Sequence, residues 1–171
     1  PRPINHYGNV KLCIENTIRT FNYQAHTKIL IARISNPYGP GQDFNKGVGF
    51  IDAAIKKTIR SEKIEIWGDG NNVRDYIYID DVCRMLISLF YYQEDYDTFN
   101  ISSNTGTSQR DVIRMLEAMQ LAPQVEYLPA RSVDAKKIIL NNERIMSIHA
   151  VPLVPVEQGI RKYYQWLKKE I

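Results

Sequence analysis

The stretch "KILIARISNPYGPGQ", Lys28 to Gln42, joins two unlike pieces of chain. Its first half, "KILIARI", is short, apolar and rich in β-branched residues, which predicts a strand buried on both faces of a parallel sheet. Its second half turns into Ser, Asn, Pro and Gly, which predicts a loop. Ligands of α/β sheets gather where strands end, so Asn36 and its neighbours become candidate binding residues. The loop alone does not separate binding from a Pro/Gly turn in which Asn36 bonds its own backbone.

Outward from this point, helix and strand alternate. From Asn5 to about Ala25, Leu12, Ile14, Ile18, Phe21 and Ala25 fall at helical spacings. Beyond the loop, "VGFIDAAIKKTIR" reads as helix, "KIEIW" as strand, "GDGNN" as a turn and "RDYIYI" as strand. "DDVCRMLISLFYY" is a helix whose Asp80 and Asp81 suit its positive N-terminus. "TFNIS" is a strand, and Ser108 with Asp111 predicts a capping arrangement for "QRDVIRMLEAMQ". "QVEYLP" is a strand, and "ARSVDAKKIILNNERIMSI" is a loop leading to a short element. Pro155 opens a last helix with Val156, Ile160, Tyr163 and Leu167 on one face. The alternation predicts an α/β fold.

The chain has 171 residues, 44% hydrophobic and 24% charged, which describes a globular protein with a real core or part of a larger one. It does not open on methionine and reads as a piece of a longer protein. No apolar run approaches the roughly 20 residues a bilayer needs, and "PRPINHYG" has no signal-peptide core. A net charge of +3 is too small to argue for nucleic acid; "KKTIR" and "WLKKE" read as solvated helix faces. Cys13 and Cys83 match no metal spacing and read as buried free thiols of a reducing cytoplasm. His6, His26 and His149 are scattered, so no metal site is read.

Chemistry begins in "INHYGNVKLCIEN", Ile4 to Asn16. Tyr7 and Lys11, four residues apart on a helix, share a face. A phenol titrates near 10, and a neighbouring ammonium favours the phenolate, so the pair can serve as general acid and base. Spacing does not decide this, because Tyr164 and Lys168 repeat it in the last helix. In "WGDGNNVRDYIYIDDV", Trp67 to Val82, Gly68 to Gly70 suit a tight hairpin turn. Arg74 then follows, fit either to grip phosphate oxygens bidentately or to pair with a carboxylate. Arg131 and Asp134 stand in the loop "ARSVDAKK".

Taken in order, Tyr-x-x-x-Lys, a strand ending in Arg-x-x-Asn-x-Tyr-Gly-Pro, Gly-Asp-Gly followed by Arg-Asp-Tyr, and a late Arg-x-x-Asp resemble one family. It is the extended branch of the short-chain dehydrogenase/reductases, the NAD-dependent nucleotide-sugar epimerases and dehydratases such as UDP-glucose 4-epimerase. Glu15 and "FNISSNTGTSQRDVI" extend the likeness over essentially the whole chain. The resemblance implies that Tyr7 is the catalytic acid/base and that Lys11 holds the nicotinamide ribose of NAD. It implies Pro37 beside the nicotinamide, and Asn36, Arg74, Tyr76 and Arg131 around the substrate diphosphate. Asp134 would read the nucleotide's ribose. Hydride chemistry would belong to the cofactor.

Some patterns of the family are altered. "PINHY" replaces Pro-x-Ser-x-Tyr, and Arg-Ser-Val-Asp replaces Arg-Pro-Gly-Asp. No Gly-x-x-Gly-x-x-Gly turn and no upstream catalytic Ser or Thr is present. The resemblance therefore implies the C-terminal portion of such an enzyme, which alone binds NAD poorly and is inactive. Residues 1–46 would be the remnant of the NAD-binding Rossmann domain. Residues 47–171 would be mainly the nucleotide-sugar-binding region, with the helix and strand near 79–102 returning to the Rossmann layer. The activity implied is 4-epimerisation through a 4-keto intermediate. Two readings stand beside it, a 4,6-dehydratase or decarboxylase of the same family and a non-catalytic nucleotide-sugar-binding module. Homodimerisation through the tyrosine-bearing helix and a cytoplasmic location are further expectations of the resemblance.

Overall fold

The computed structural model describes residues 2–42, 49–130 and 135–170. It is mixed α/β, with parallel strand pairs as expected. Helix α1, His6–Ala25, is capped by Asn5, whose side chain accepts from the Gly8 amide at 2.9 Å. It ends at His26 in the left-handed conformation, φ 51°. Strand β1, Ile31–Ile34, follows and pairs in parallel with β5, Thr98–Ile101. Burial on both faces is not found among the described residues. Only Ile31 of β1 is buried, and Ile34 is 42% exposed. The apolar run correctly marks a strand, but a run of this kind does not say how many of its neighbours are at hand.

The residues read as loop begin with a short strand, β2, Asn36–Tyr38, parallel to the last half of β4, Val73–Tyr78. Helix α2, Phe50–Ile59, leads to β3, Lys63–Trp67. Gly68 and Gly70 lie at φ 86° and 74°, values that glycine adopts without strain. They do not close a hairpin. Strand β3 pairs with β7, Gln124–Leu128, while β4 belongs to another sheet, so Gly68 to Asn72 is a corner between sheets.

Strand β4 is the hinge of the layout. Its first half pairs with β6, Gly106–Ser108, and with β8, Lys137–Ile138. Helix α3, Ile79–Phe90, continues from it without a loop. Side chains alternate along a strand, so Tyr76 and Tyr78 enter one apolar cluster and Ile77 the other. The first cluster lies among α2, β3, α4 (Gln109–Ala118) and α6 (Val156–Glu170). The second joins α3, β5 and α5, Glu143–Met146.

Local sequence signals hold well. Ser108 and Asp111 form a reciprocal capping box at α4. Val156, Ile160, Tyr163 and Leu167 are all buried on α6. Gly159 lets α6 lie against β2, since a Cβ there would fall 2.1 Å from the Tyr38 hydroxyl. Cys13 and Cys83 are free but exposed, not buried as the sequence suggested. Among the described residues, no helix is long and apolar enough to cross a membrane.

Candidate functional site

Two cavities hold the residues that the sequence singles out. The first, about 280 Å³, is lined by Asn36, Pro37, Arg74 and Tyr76, with Phe50, Trp67 and Gln109 among its walls. The pairing of β2 with β4 makes this juxtaposition, since Asn36 stands opposite Tyr76 in register. Tyr38 also faces the cavity and donates to the Val156 carbonyl at 3.1 Å.

Arg74 and Tyr76 are alternate residues of one strand, so both point to the same side. Arg74 does not pair with Asp75. Its Nη1 donates to the carbonyls of Val73, 2.9 Å away, and Ala135, 2.7 Å away, which fixes the guanidinium at the cavity wall. A planar fork held in this way is suited to oxyanions. Burial raises the Tyr76 phenol to about 12, against an opposing effect of Arg74, so it remains protonated at neutral pH. It can donate a hydrogen bond but cannot act as a base there.

Asp75 points the other way and is completely buried. Its carboxylate accepts from the amides of Ser103 (2.9 Å), Asn104 (3.1 Å) and Leu140 (3.2 Å) and from the Ser103 hydroxyl (2.8 Å). Its carbonyl accepts from the Asn36 amide group at 2.9 Å. Asp75 thus binds β4 to the ends of β1 and β5 and holds Asn36 in place. The sequence reading passed over it. Its only signal was a charge on the opposite face from Arg74 and Tyr76, where a strand in a layered fold meets protein.

The floor of the cavity carries another group missed in the sequence. Asp52 is buried and pairs with buried Lys56 at 2.8 Å. The Tyr163 hydroxyl also donates to it, and burial with that bond pushes the Tyr163 pKa far above its ordinary value. Helix α6 is thereby tied to the helix that borders the site.

The second cavity is an open groove of about 800 Å³ that includes Tyr7, Lys11, Glu15, Arg33 and Ile34. Tyr7 is 73% exposed, and Lys11 Nζ lies 5.4 Å from its ring centroid. Tyr164 and Lys168 show the same geometry at 5.7 Å. Surroundings separate the pairs. Tyr164 packs against the first apolar cluster, whereas Tyr7 and Lys11 face a groove at the open edge of β1. Below them, Glu15 accepts from Arg33 Nε at 2.7 Å and Nη2 at 2.5 Å. These bonds, with help from Arg19, hold the Glu15 carboxyl below its ordinary pKa despite partial burial. Pro37 lines the Arg74 cavity and not the Tyr7 groove. Arg131 and Asp134 lie outside the described residues. Among the described residues, no cluster of His, Cys, Asp or Glu could hold a metal ion.

The sequence profile of the NAD dependent epimerase/dehydratase family matches residues 1–102. The chain belongs to this family. A dTDP-L-rhamnose 4-epimerase from Burkholderia thailandensis is 30% identical, covering 100% of this chain and 48% of its own length. A dTDP-D-glucose 4,6-dehydratase from Mus musculus is 26% identical, over 98% of this chain and 49% of its own. Among solved structures, UDP-glucose 4-epimerase from Thermotoga maritima with UDP-glucose superposes with a TM-score of 0.90 at 29% identity, over 99% of this chain and 55% of that one. UDP-glucose 4-epimerase from Thermus thermophilus with NAD gives 0.89 at 25% identity, over 100% and 56%. The chain thus spans about half the length of these family members, and its Rossmann-like α/β layout is theirs.

Proposed function

We propose that the chain serves as the nucleotide-sugar-binding half of an NAD-dependent nucleotide-sugar 4-epimerase, to which it also contributes the acid/base pair. The observation that carries this reading is the gathering of Asn36, Pro37, Arg74 and Tyr76 around one cavity, from separate segments of the sequence. The substrate is a nucleoside-diphosphate sugar, of the UDP or dTDP kind that the related enzymes are named for. Arg74 grips its diphosphate, with Asn36 and the Tyr76 hydroxyl supplying neutral hydrogen bonds. Arg131 and Asp134 join from the adjoining loop, the first on the diphosphate and the second on the ribose.

The sugar then extends past Pro37 toward Tyr7. Tyr7 would take the proton from the C4 hydroxyl and later return it, while the C4 hydrogen would pass as hydride to NAD and back; the two transfers together make and consume a 4-keto sugar. Ile31, Ala32 and Ile34 line the same groove as Lys11 and would form an apolar floor for the nicotinamide, and Lys11 would hold its ribose. The cofactor supplies hydride transfer when bound. Residues 1–46, with those near 79–102, form the cofactor-side layer in this reading, and 47–171 mainly the substrate side. A cytoplasmic homodimer built on α1 is part of the same proposal.

The dehydratase relative supports a second reading, loss of water across C5 and C6 of a 4-keto sugar, followed by reduction at C6, instead of inversion at C4. Incubating the whole enzyme with NAD and UDP-glucose, UDP-galactose, their N-acetyl analogues and dTDP-sugars separates the two. A C4 epimer supports the proposal, a 4-keto-6-deoxy product transfers it to the dehydratases, and binding without turnover leaves only a binding module.

A further inference from the structure

Resting on that reading of the two cavities, we infer that Asp75 is a positioning residue for the reaction. It sets the distance and angle between the diphosphate grip at Arg74 and the acid/base pair in the Tyr7 groove. The grip lies on β4, and the pair stands over β1. These strands belong to different sheets. The chain joins them through Ser35, which separates β1 from β2. Apolar packing joins them as well, since Ile77 of β4 shares a cluster with Phe99 and Ile101 of β5. Apolar contact has no preferred direction, so it brings the layers together without fixing their angle. Hydrogen bonds do prefer a direction.

Asp75 supplies those bonds. One carboxylate oxygen accepts from the Ser103 amide and hydroxyl and from the Ser35 hydroxyl, the last at 3.3 Å. The other accepts from the amides of Asn104 and Leu140. Ser35 and Ser103 lie just past the ends of β1 and β5. Leu140 lines the Tyr7 groove, and its carbonyl accepts from the Ser102 hydroxyl at 3.0 Å. The strap that leads to Leu140 begins at Ala135, whose carbonyl holds Arg74. It pairs with β4 on the way, through β8. One buried carboxylate thus meets both strand ends of the acid/base layer and the strap between the two cavities.

The grip itself does not depend on that carboxylate. Arg74 is held by the carbonyls of Val73 and Ala135, and Asn36 by the main-chain carbonyl of Asp75. Asp75→Asn therefore keeps the grip and the side-chain shape. It leaves one acceptor oxygen where two are used, and turns an NH2 group toward N–H or O–H donors. The nucleotide would still bind, while its sugar would reach Tyr7 out of line.

The test compares turnover with nucleotide affinity in the whole enzyme. We expect Asp75→Asn to lower kcat about 100-fold, the effect of a misplacement of roughly 1 Å. UDP affinity by calorimetry should stay within about twofold, since the lost interaction serves the chemical step and not binding. A residue that served folding alone would reduce the folded fraction, read by circular dichroism on heating, and leave kcat per folded molecule unchanged. Ser103→Ala is the second arm should Asp75→Asn not fold. It removes one hydroxyl from the same carboxylate and should lower kcat about 2- to 10-fold, the worth of one hydrogen bond, at unchanged UDP affinity. Unchanged kcat in a folded variant overturns the inference. So does a comparable fall in kcat and UDP affinity, or loss of the fold in both variants. An unaltered enzyme that does not bind UDP, or binds it without turnover on any nucleotide sugar, overturns the proposed function itself, which is a different failure.

Discussion

Helices α1 and α6 carry the same Tyr-x-x-x-Lys pattern and are held to the molecule by opposite means. On α6, Val156, Gly159, Ile160, Tyr163 and Leu167 are buried, and the helix is part of an apolar cluster. On α1 no residue is buried along its 20 residues. It is attached through polar tethers instead. Glu15 pairs with Arg33, Arg19 with Asp97 at 3.3 Å, and the Asn22 side chain exchanges two 2.9 Å bonds with Ile29. The difference shows where each pair gets its meaning. The spacing is shared, and what differs is the surface beside each pair, an apolar cluster at Tyr164 and an open groove at Tyr7 and Lys11.

The strongest way to break the comparison is to remove one hydroxyl from each helix. Tyr7→Phe in the whole enzyme should lower turnover by about 100- to 10,000-fold, the usual worth of a general acid/base. Product formation measured over time checks this, and near-normal turnover would remove Tyr7 from the reaction. Tyr164→Phe is the control, considered last because its expected effect is the smallest.

Next in size are the packing effects. Leu167→Ala on α6 should destabilise the chain by about 2–5 kcal/mol, through lost burial and the cavity left behind. Ile14→Ala on α1 should change stability by no more than about 0.5 kcal/mol, because Ile14 is 48% exposed. Urea denaturation monitors both. Comparable losses would mean that α1 is packed as firmly as α6.

A smaller contrast should appear with pH. Ionised Glu15 is favoured in the folded chain, and the Thr98 hydroxyl with Arg19 likewise lowers Asp97. Both pKa values are depressed, so the stabilisation is complete above the unfolded values, near 4, and fades as pH falls through the lower folded ones. Hydrogen exchange below about pH 4 should therefore lose protection in α1 before α6. Glu15→Gln should flatten that difference, and simultaneous loss in both helices would contradict it. Smallest of all, Tyr164→Phe should leave turnover unchanged and shift stability by less than about 0.5 kcal/mol.

What the chain revealed before its fold was known follows the same division. The α6 stripe and the Ser108–Asp111 cap were legible because their causes lie within a few residues. Strands β2, β6 and β8 were not, since they have only three, three and two residues and exist as strands through their pairing with β4. Asp75 was hidden for a related reason. Its partners Ser103, Asn104 and Leu140 lie 28 to 65 residues away. Helical spacing identified the apolar side of α1 but could not say what covers it. For the candidate site, the order of motifs was readable, whereas the gathering of Asn36, Pro37, Arg74 and Tyr76 around one cavity is a property of the folded chain alone.

The central claim is that the cavity around Arg74 holds a nucleoside diphosphate. Calorimetric titration of UDP into the chain and into Arg74→Ala is its most direct test. The account predicts saturable binding to the unaltered chain, weakened on the order of 30-fold in the variant, as suits the loss of a charge-assisted contact. Absence of binding, or equal binding by both proteins, would contradict it.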